Sequence, residues 1–301
     1  MRMKTKYLPY ICAAGFLALT ACEQEIEIDL PPPKEMVVVD GSIESGEFAR
    51  VTLTKSMPYF SEIDPNTLSS ILITDATVFI SDGTLTDTLE FTIDFNAFPP
   101  VYYKGTNPLL QGVPGKSYNL TIWTQTDTLT AVTSIPQIVP LDSIFWKPDG
   151  DEQDSLGYGW GHLTDPPEIG NIYRLFVKRQ DYISYIPAGG RSTMDDRLIN
   201  GQSTDFNFVR PRQYPSWYPV SDTTSSGGGD ERFYFKRGDT ISVKFCTIDV
   251  ASYDFVRTYE IAAGSFGNPF SAPTFVRTNI TGGLGGWVGY GVSHHSYVVP
   301  E

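Results

Sequence analysis

Side-chain catalysis needs a base, a nucleophile and a group that orients them. Bases that titrate near neutrality are scarce in these 301 residues, with only His162, His294 and His295 present. Adjacent residues on a strand point to opposite faces, so His294 and His295 are poorly placed to share one metal. The run Asp149-Gly150-Asp151-Glu152-Gln153-Asp154 crowds carboxylates into one short stretch. Calcium takes six to eight oxygens, and an EF-hand loop wants acids at its first, third and fifth positions with Gly at the sixth. Gly stands second in this run, which therefore reads as an acidic surface loop. Carboxylate pairs for glycoside cleavage are set by spatial separation, and nothing in the sequence singles one out. No catalytic residue, metal ligand or cofactor is assigned, and the chain is expected not to be an enzyme.

Thiols offer a different chemistry. Cysteines stand at 12, 22 and 246. Met1–Lys6 carries Arg2, Lys4 and Lys6 without an acid, an apolar run from Tyr7 to Leu19 follows, and Leu19-Thr20-Ala21 leads to Cys22. A basic start, a short apolar core and small residues at a cut site mark a secretory signal. The run is about 13 residues, short of the roughly 20 that span a bilayer. Leu, two small residues and Cys are similar to the bacterial lipobox, which implies loss of residues 1–21 and acylation of the Cys22 thiol. An ordinary secretory signal with a chance cysteine is the alternative. Each buried lipid methylene contributes about 0.8 kcal/mol to the anchor. Cys246 then stands alone, so no internal disulfide is available. It is either a reactive thiol or a small buried strand residue, and the strand pattern around it favours burial.

The charge balance is lopsided, with 22 basic against 35 acidic residues for a net charge of −13. Loss of the basic signal makes the body more acidic still. Such a body repels nucleic acid, and nucleic acid is excluded as a partner.

The remaining sequence must build a core without disulfides. Residues 22–35 read as an acidic, proline-stiffened tether: Glu23, Glu25, Glu27 and Asp29 precede Pro31-Pro32-Pro33. From Met36, apolar residues alternate at Val37, Val39, Gly41 and Ile43, at Val51 and Leu53, at Val78 and Ile80, and at Tyr118, Leu120 and Ile122. Period-two alternation signals strands with one buried face. Asp82-Gly83 suggests a tight hairpin, and Gly112-Val113-Pro114-Gly115 a turn into the Tyr118 strand. No stretch from 36 to 135 shows a helical period. Residues 36–138 are expected to form an immunoglobulin- or transthyretin-like β-sandwich. Pro136 and Pro140 stiffen a boundary, and residues 139–301 form a second β-rich sandwich domain. There Tyr173, Leu175 and Val177 alternate, as do Phe233 and Phe235, and then Ile241, Val243 and Phe245. Asp249 is a good N-cap for one helix over Val250–Ala263, with Gly264 as its stop. The glycines of Gly282-Gly283-Leu284-Gly285-Gly286 read as close backbone packing beside a strand, because no helix start or Lys follows as a phosphate loop requires.

One stretch looks built for contact. Between 182 and 232 stand Tyr182, Tyr185, Tyr214, Trp217 and Tyr218 among prolines and glycines, with little periodicity. Exposed Tyr and Trp are favoured anchors at interfaces and on sugars, and long loops are often functional. These five are the partner-binding candidates for a glycan, a peptide or a receptor. Aromatics folded back as lids on the sheet are the alternative.

Ordered blocks along the chain resemble a family of Bacteroidota outer-membrane lipoproteins known as domain of unknown function 4249. They are Cys22-Glu23-Gln24-Glu25-Ile26-Glu27, Met36-Val37 with Val39-Asp40-Gly41-Ser42-Ile43, and Val51-Thr52-Leu53-Thr54-Lys55-Ser56 with Pro58-Tyr59-Phe60. Gly112-Val113-Pro114-Gly115-Lys116-Ser117-Tyr118, Thr164-Asp165-Pro166-Pro167 with Asn171-Ile172-Tyr173-Arg174, Gly267-Asn268-Pro269-Phe270-Ser271, Asn279-Ile280, and Gly282-Gly283-Leu284-Gly285 follow in order. The resemblance implies a two-part β-rich envelope lipoprotein, often encoded beside a TonB-dependent receptor barrel. It implies no agreed activity. A lipid-anchored accessory of such a receptor, for ligand capture or capping, is the first expectation; a freestanding carbohydrate-binding or adhesion module is the second. Acids directly after Cys22 look like a surface-export signal of that phylum, which places the body outside the outer membrane; a plain solvated tether is the alternative. Asp followed by Ser or Thr and then an aliphatic residue or Thr is similar to the phylum's O-glycosylation acceptor. It makes Thr88, Thr128, Ser143, Ser155, Thr223 and Thr240 candidates, although Asp-Thr is also a natural turn before a strand.

Overall fold

The structure is a computed structural model, and it describes residues 35–57, 65–97, 99–152, 154–189, 191–211, 233–265 and 274–301. In the first half lie β1 (Val37–Glu44), β2 (Arg50–Lys55), a short helix α1 (Pro65–Ile71), β3 (Thr77–Ser81), β4 (Thr86–Ile93), β5 (Val101–Lys104), β6 (Ser117–Trp123) and β7 (Thr128–Ser134). Next come β8 (Ser143–Pro148), β9 (Leu156–Thr164), β10 (Ile172–Arg179), β11 (Ile186–Pro187), β12 (Thr193–Asp195) and β13 (Ser203–Phe208). The last elements are β14 (Phe235–Lys236), β15 (Thr240–Thr247), α2 (Val250–Ser265), β16 (Ile280–Thr281) and β17 (Leu284–Val298). The protein is mainly β, as the alternation predicts.

The expected alternations bury the expected face except at Phe233, which is half-buried and precedes the two-residue strand of Phe235. Val37, Val39, Val51, Leu53, Val78, Ile80, Tyr118, Leu120 and Ile122 meet in one apolar cluster, which Ile280 and Trp287 complete from the far end of the chain. A second cluster joins Tyr173, Leu175, Val177, Ile241, Val243 and Phe245 to Leu163, Phe208 and Phe235. Each cluster fills the space between facing strand layers, the sandwich arrangement expected of half-buried antiparallel strands. The Asp82-Gly83 hairpin forms between β3 and β4: the Asp82 carboxylate accepts from the amides of Thr84 and Leu85, and Gly83 takes a φ of 92°.

One 13-stranded sheet runs in the order β11-β10-β15-β17-β1-β2-β5-β4-β3-β6-β7-β16, with β12 also on β10; a 4-stranded sheet holds β13, β9, β14 and β8. The hub is β17. It pairs in parallel with β1 from Val38↔Leu284 to Glu44↔Tyr290, then antiparallel with β15 from Thr247↔Gly291 to Thr240↔Val298. The glycines at its start permit this. Gly285 takes a φ of 97°, and a Cβ there would run into the Val39 carbonyl. A Cβ on Gly286 would strike the Phe255 ring of α2.

Two local expectations need correction. The seven residues of α1 form a helix where no helical period was legible, because two turns are too few to establish one. Gly264 does not stop α2, which keeps helical geometry through Ser265. Its start does follow the expected cap: Asp249 Oδ1 accepts from the Ser252 amide at 2.7 Å. The same carboxylate holds the end of β7, since Oδ2 accepts from the Ser134 amide at 2.8 Å and the Thr133 hydroxyl at 2.9 Å.

Candidate functional site

A strand that buries one face must do something with the other. On β1 the core takes Val37, Val39, Gly41 and Ile43, so Val38, Asp40, Ser42 and Glu44 point the opposite way. Cross-strand partners share a face, which lets the register define a whole surface. Next to β1, Thr52 lies opposite Asp40 and Arg50 opposite Ser42, and beyond them Lys104 of β5 lies opposite Arg50. On the other side Tyr290 of β17 pairs with Glu44. His294 pairs with Lys244 of β15, which in turn pairs with Phe176 of β10. Six consecutive strands thus share one polar, aromatic face. It forms the floor of an open groove of about 1200 Å³, with Phe255 and Tyr259 of α2 on its wall.

The charges on this floor are organised. Lys244 Nζ lies 2.6 Å from Glu44 Oε1 and stands 4.6, 5.6 and 5.8 Å from the ring centres of Phe176, Tyr185 and Tyr290. Arg174 donates to the Tyr290 hydroxyl and, at 3.2 Å, to Ser192 Oγ. Glu260 of α2 holds that corner by accepting from the Ser192 amide at 3.2 Å, with its carboxylate 3.9 Å from Arg174. Burial pushes the Tyr290 hydroxyl well above the ordinary tyrosine value, so it stays a neutral partner for Arg174. Near the other end the Arg50 guanidinium lies 3.8 Å over the Tyr102 ring. Asp40 sits between the two ends. Its side chain is open to the water of the groove but walled in by the surrounding elements. That enclosure raises its carboxyl above the usual range against the opposing pull of Arg174 and Arg50.

This arrangement can hold a sizeable ligand by charge-assisted hydrogen bonds of both signs. No hydroxyl, imidazole and carboxylate form a hydrogen-bonded chain in it among the described residues. Among the described residues the pairing of a hydroxyl with an imidazole is Ser293 Oγ and His295 Nε2 at 3.3 Å, two positions apart on the same strand face. Burial and His294 hold the His295 ring below its ordinary value, and among the described residues no carboxylate is bonded to its other nitrogen. His162 is engaged elsewhere, with Nδ1 2.6 Å from Asp205 at the surface. No three His, Cys, Asp or Glu side chains converge among the described residues.

The groove brings together few of the residues singled out from the sequence. Tyr185 lines it, against Lys244 and His294. Tyr182 does not: its ring is buried, and its hydroxyl donates to the Pro211 carbonyl at 2.8 Å. Tyr214, Trp217, Tyr218, Thr223 and the lipid-acceptor candidate Cys22 lie outside the described residues. Thr88, Thr128, Ser143 and Ser155 are exposed, and Thr240 is half-buried. Thr128, Ser143 and Thr240 each open a strand, the placement that the turn reading also requires. Cys246 is fully buried beneath α2, and burial pushes its thiol up to about 12, so it packs rather than reacts. The 149–154 acids form an exposed loop beside β9, whose carbonyls at Glu152 and Asp154 accept from Arg237.

Local sequence does not mark Asp40, Glu44, Arg50, Arg174 and Lys244 as site residues. Their signal was present as charges on the polar side of otherwise apolar strands. An alternating strand usually turns that side to bulk water, so nothing local marked it as the floor of a groove.

No described helix is long and apolar enough to cross a membrane. No curated protein matches the sequence. Residues 23–296 match the family described as Domain of unknown function (DUF4249), and the chain belongs to that family.

Proposed function

We propose that this is a lipid-anchored, non-catalytic envelope protein that captures a ligand in the groove and serves a TonB-dependent outer-membrane receptor. The observation that carries the reading is the groove itself. Six strands from both halves of the chain turn a charged, ring-lined face into one open cleft. Ligand sites are commonly concave, with a few convergent polar groups. At about 1200 Å³ the cleft exceeds the usual small-molecule pocket of 300–1,000 Å³, which suits an oligomer better than a metabolite. Anchoring through Cys22 and a surface position set by Glu23, Glu25 and Glu27 fit a capture role, in which ligand must be held close to a transporter.

The test has two arms. Protein lipidated at Cys22 is purified from its own membrane with mild detergent, and co-purifying proteins are identified; a large barrel receptor should accompany it. Separately, Ser42→Trp fills the centre of the groove without touching the core face, and ligand recovered by native mass spectrometry should disappear. Ligand lost in Ser42→Trp without any barrel partner removes the transporter and leaves capture. A barrel partner with equal ligand recovery from both proteins removes capture and leaves capping.

A further inference from the structure

Two cations in the groove have no ion-pair partner among the described residues. Arg50 and Lys104 lie directly opposite each other across β2 and β5. Among the described residues neither side chain makes an ion pair or a hydrogen bond; their contacts are with rings, Arg50 over Tyr102 at 3.8 Å and Lys104 over Phe48 at 5.6 Å. Glu90 lies opposite Lys104 on β4 but does not reach it. Like charges opposite one another on a sheet are destabilising. The other two cations on the same floor, Arg174 and Lys244, both have acid partners. In a chain with 35 acids against 22 bases, two facing and unpaired cations in a cleft are the exception.

We propose that Arg50 and Lys104 form the anion-recognition corner of the groove and take a carboxylate of an oligomeric ligand. The inference rests on the groove being a capture site. Three features select this chemistry. The Arg50 guanidinium sits over the Tyr102 ring and donates to no described residue, and its N–H fork matches a planar carboxylate. Asp40, close enough to Arg50 to feel its charge, opposes a doubly charged phosphate more than a single carboxylate. The ring faces of Tyr102 and Phe176 are occupied by cations, which leaves less aromatic surface for stacking a neutral sugar. The carboxylate can come from an acidic sugar or from a peptide terminus.

Binding to the full mature protein is measured by titration calorimetry with trigalacturonate and its methyl ester, and with trialanine and its C-terminal amide. At least one acid should bind at least tenfold more tightly than its neutral partner, and the pair that shows the difference identifies the source. Arg50→Gln and Lys104→Gln should each weaken that acid at least tenfold while the circular dichroism spectrum stays native; two independent variants guard against misfolding of one. Inorganic phosphate should compete poorly. Equal binding of acid and neutral forms, equal binding by the Gln variants, effective phosphate competition, or no binding of either acid overturns the carboxylate corner. Binding that Ser42→Trp abolishes but both Gln variants retain overturns it while leaving capture in the groove intact.

Discussion

Lys244 and Glu44 meet at 2.6 Å although 200 residues of chain separate them. Both side chains are largely shielded, 12% and 25% exposed, so the pair is worth more than a surface ion pair. It spans β17 and joins β15 to β1, and it also fixes one end of the groove. Lys244→Met and Glu44→Gln should each cost roughly 1–3 kcal/mol, because each leaves a shielded partner unsatisfied. The double variant should cost less than the sum. Urea denaturation of wild type, both single variants and the double variant measures the coupling. Costs that add to within about 0.3 kcal/mol mean that the contact contributes nothing.

Gly285 tests how closely β17 must approach β1. Its φ of 97° is strained for any other residue, and a side chain there would meet the Val39 carbonyl. Gly46 has a similar φ of 81° but open space around it. Gly46→Ala should therefore cost about 1 kcal/mol from backbone strain alone. Gly285→Ala should cost at least twice that, read as a lower urea midpoint at unchanged slope. Equal losses at the two positions mean that β1 can move away from β17 freely.

The core was legible in the sequence and the groove was not, for one physical reason. Alternation in Val37–Ile43 or Tyr118–Ile122 is a local signal, and burial of those faces follows from it. Asp249 was legible for the same reason, since a helix cap acts within one turn. Which polar face becomes a floor depends instead on the parallel pairing of β17 with β1, a contact between chain segments more than 240 residues apart in which Val38 meets Leu284. The glycines at 282–286 indicated close packing without naming the strand they pack against. On β10, Ile172 and Phe176 are buried as well as Tyr173, Leu175 and Val177. The apolar residues on both faces of that strand were the one local hint of a second layer above the sheet, which proves to be α2.

The anchor is tested at Cys22. A thioether-linked lipid requires the Cys22 sulfur, so Cys22→Ser should abolish incorporation of labelled palmitate. It should also move the protein from the membrane to the soluble exported fraction or leave it as precursor. One acyl chain gives only marginal membrane binding, so loss of the attachment site should leave little residual partitioning. Wild type that incorporates no palmitate, or a Ser variant as membrane-bound as wild type, removes the lipid assignment.

The strongest link between stability and binding should lie at Asp40. Enclosure in the groove holds its carboxyl above the usual value of about 4, so in the empty protein the ionised form is under strain. An acid whose value is raised on folding disfavours the folded state once pH exceeds the folded-state value. That penalty falls away as pH drops through the folded-state value, and it is gone below the unfolded-state one. Asp40→Asn should therefore raise the melting temperature at pH 7, and the gain should shrink on acidification and vanish below about pH 4. Against its repulsion of a ligand carboxylate at Arg50, ionised Asp40 can accept hydrogen bonds from hydroxyl or amide groups elsewhere on the ligand. If Asp40 accepts hydrogen bonds from bound ligand, Asp40→Asn should weaken binding at pH 7, and wild-type affinity should fall as pH is lowered toward its raised value. A variant that is less stable than wild type at pH 7 shows instead that the pull of Arg174 and Arg50 outweighs enclosure. Asp40 would then be a structural counter-ion of those arginines rather than a free acceptor held ready for ligand.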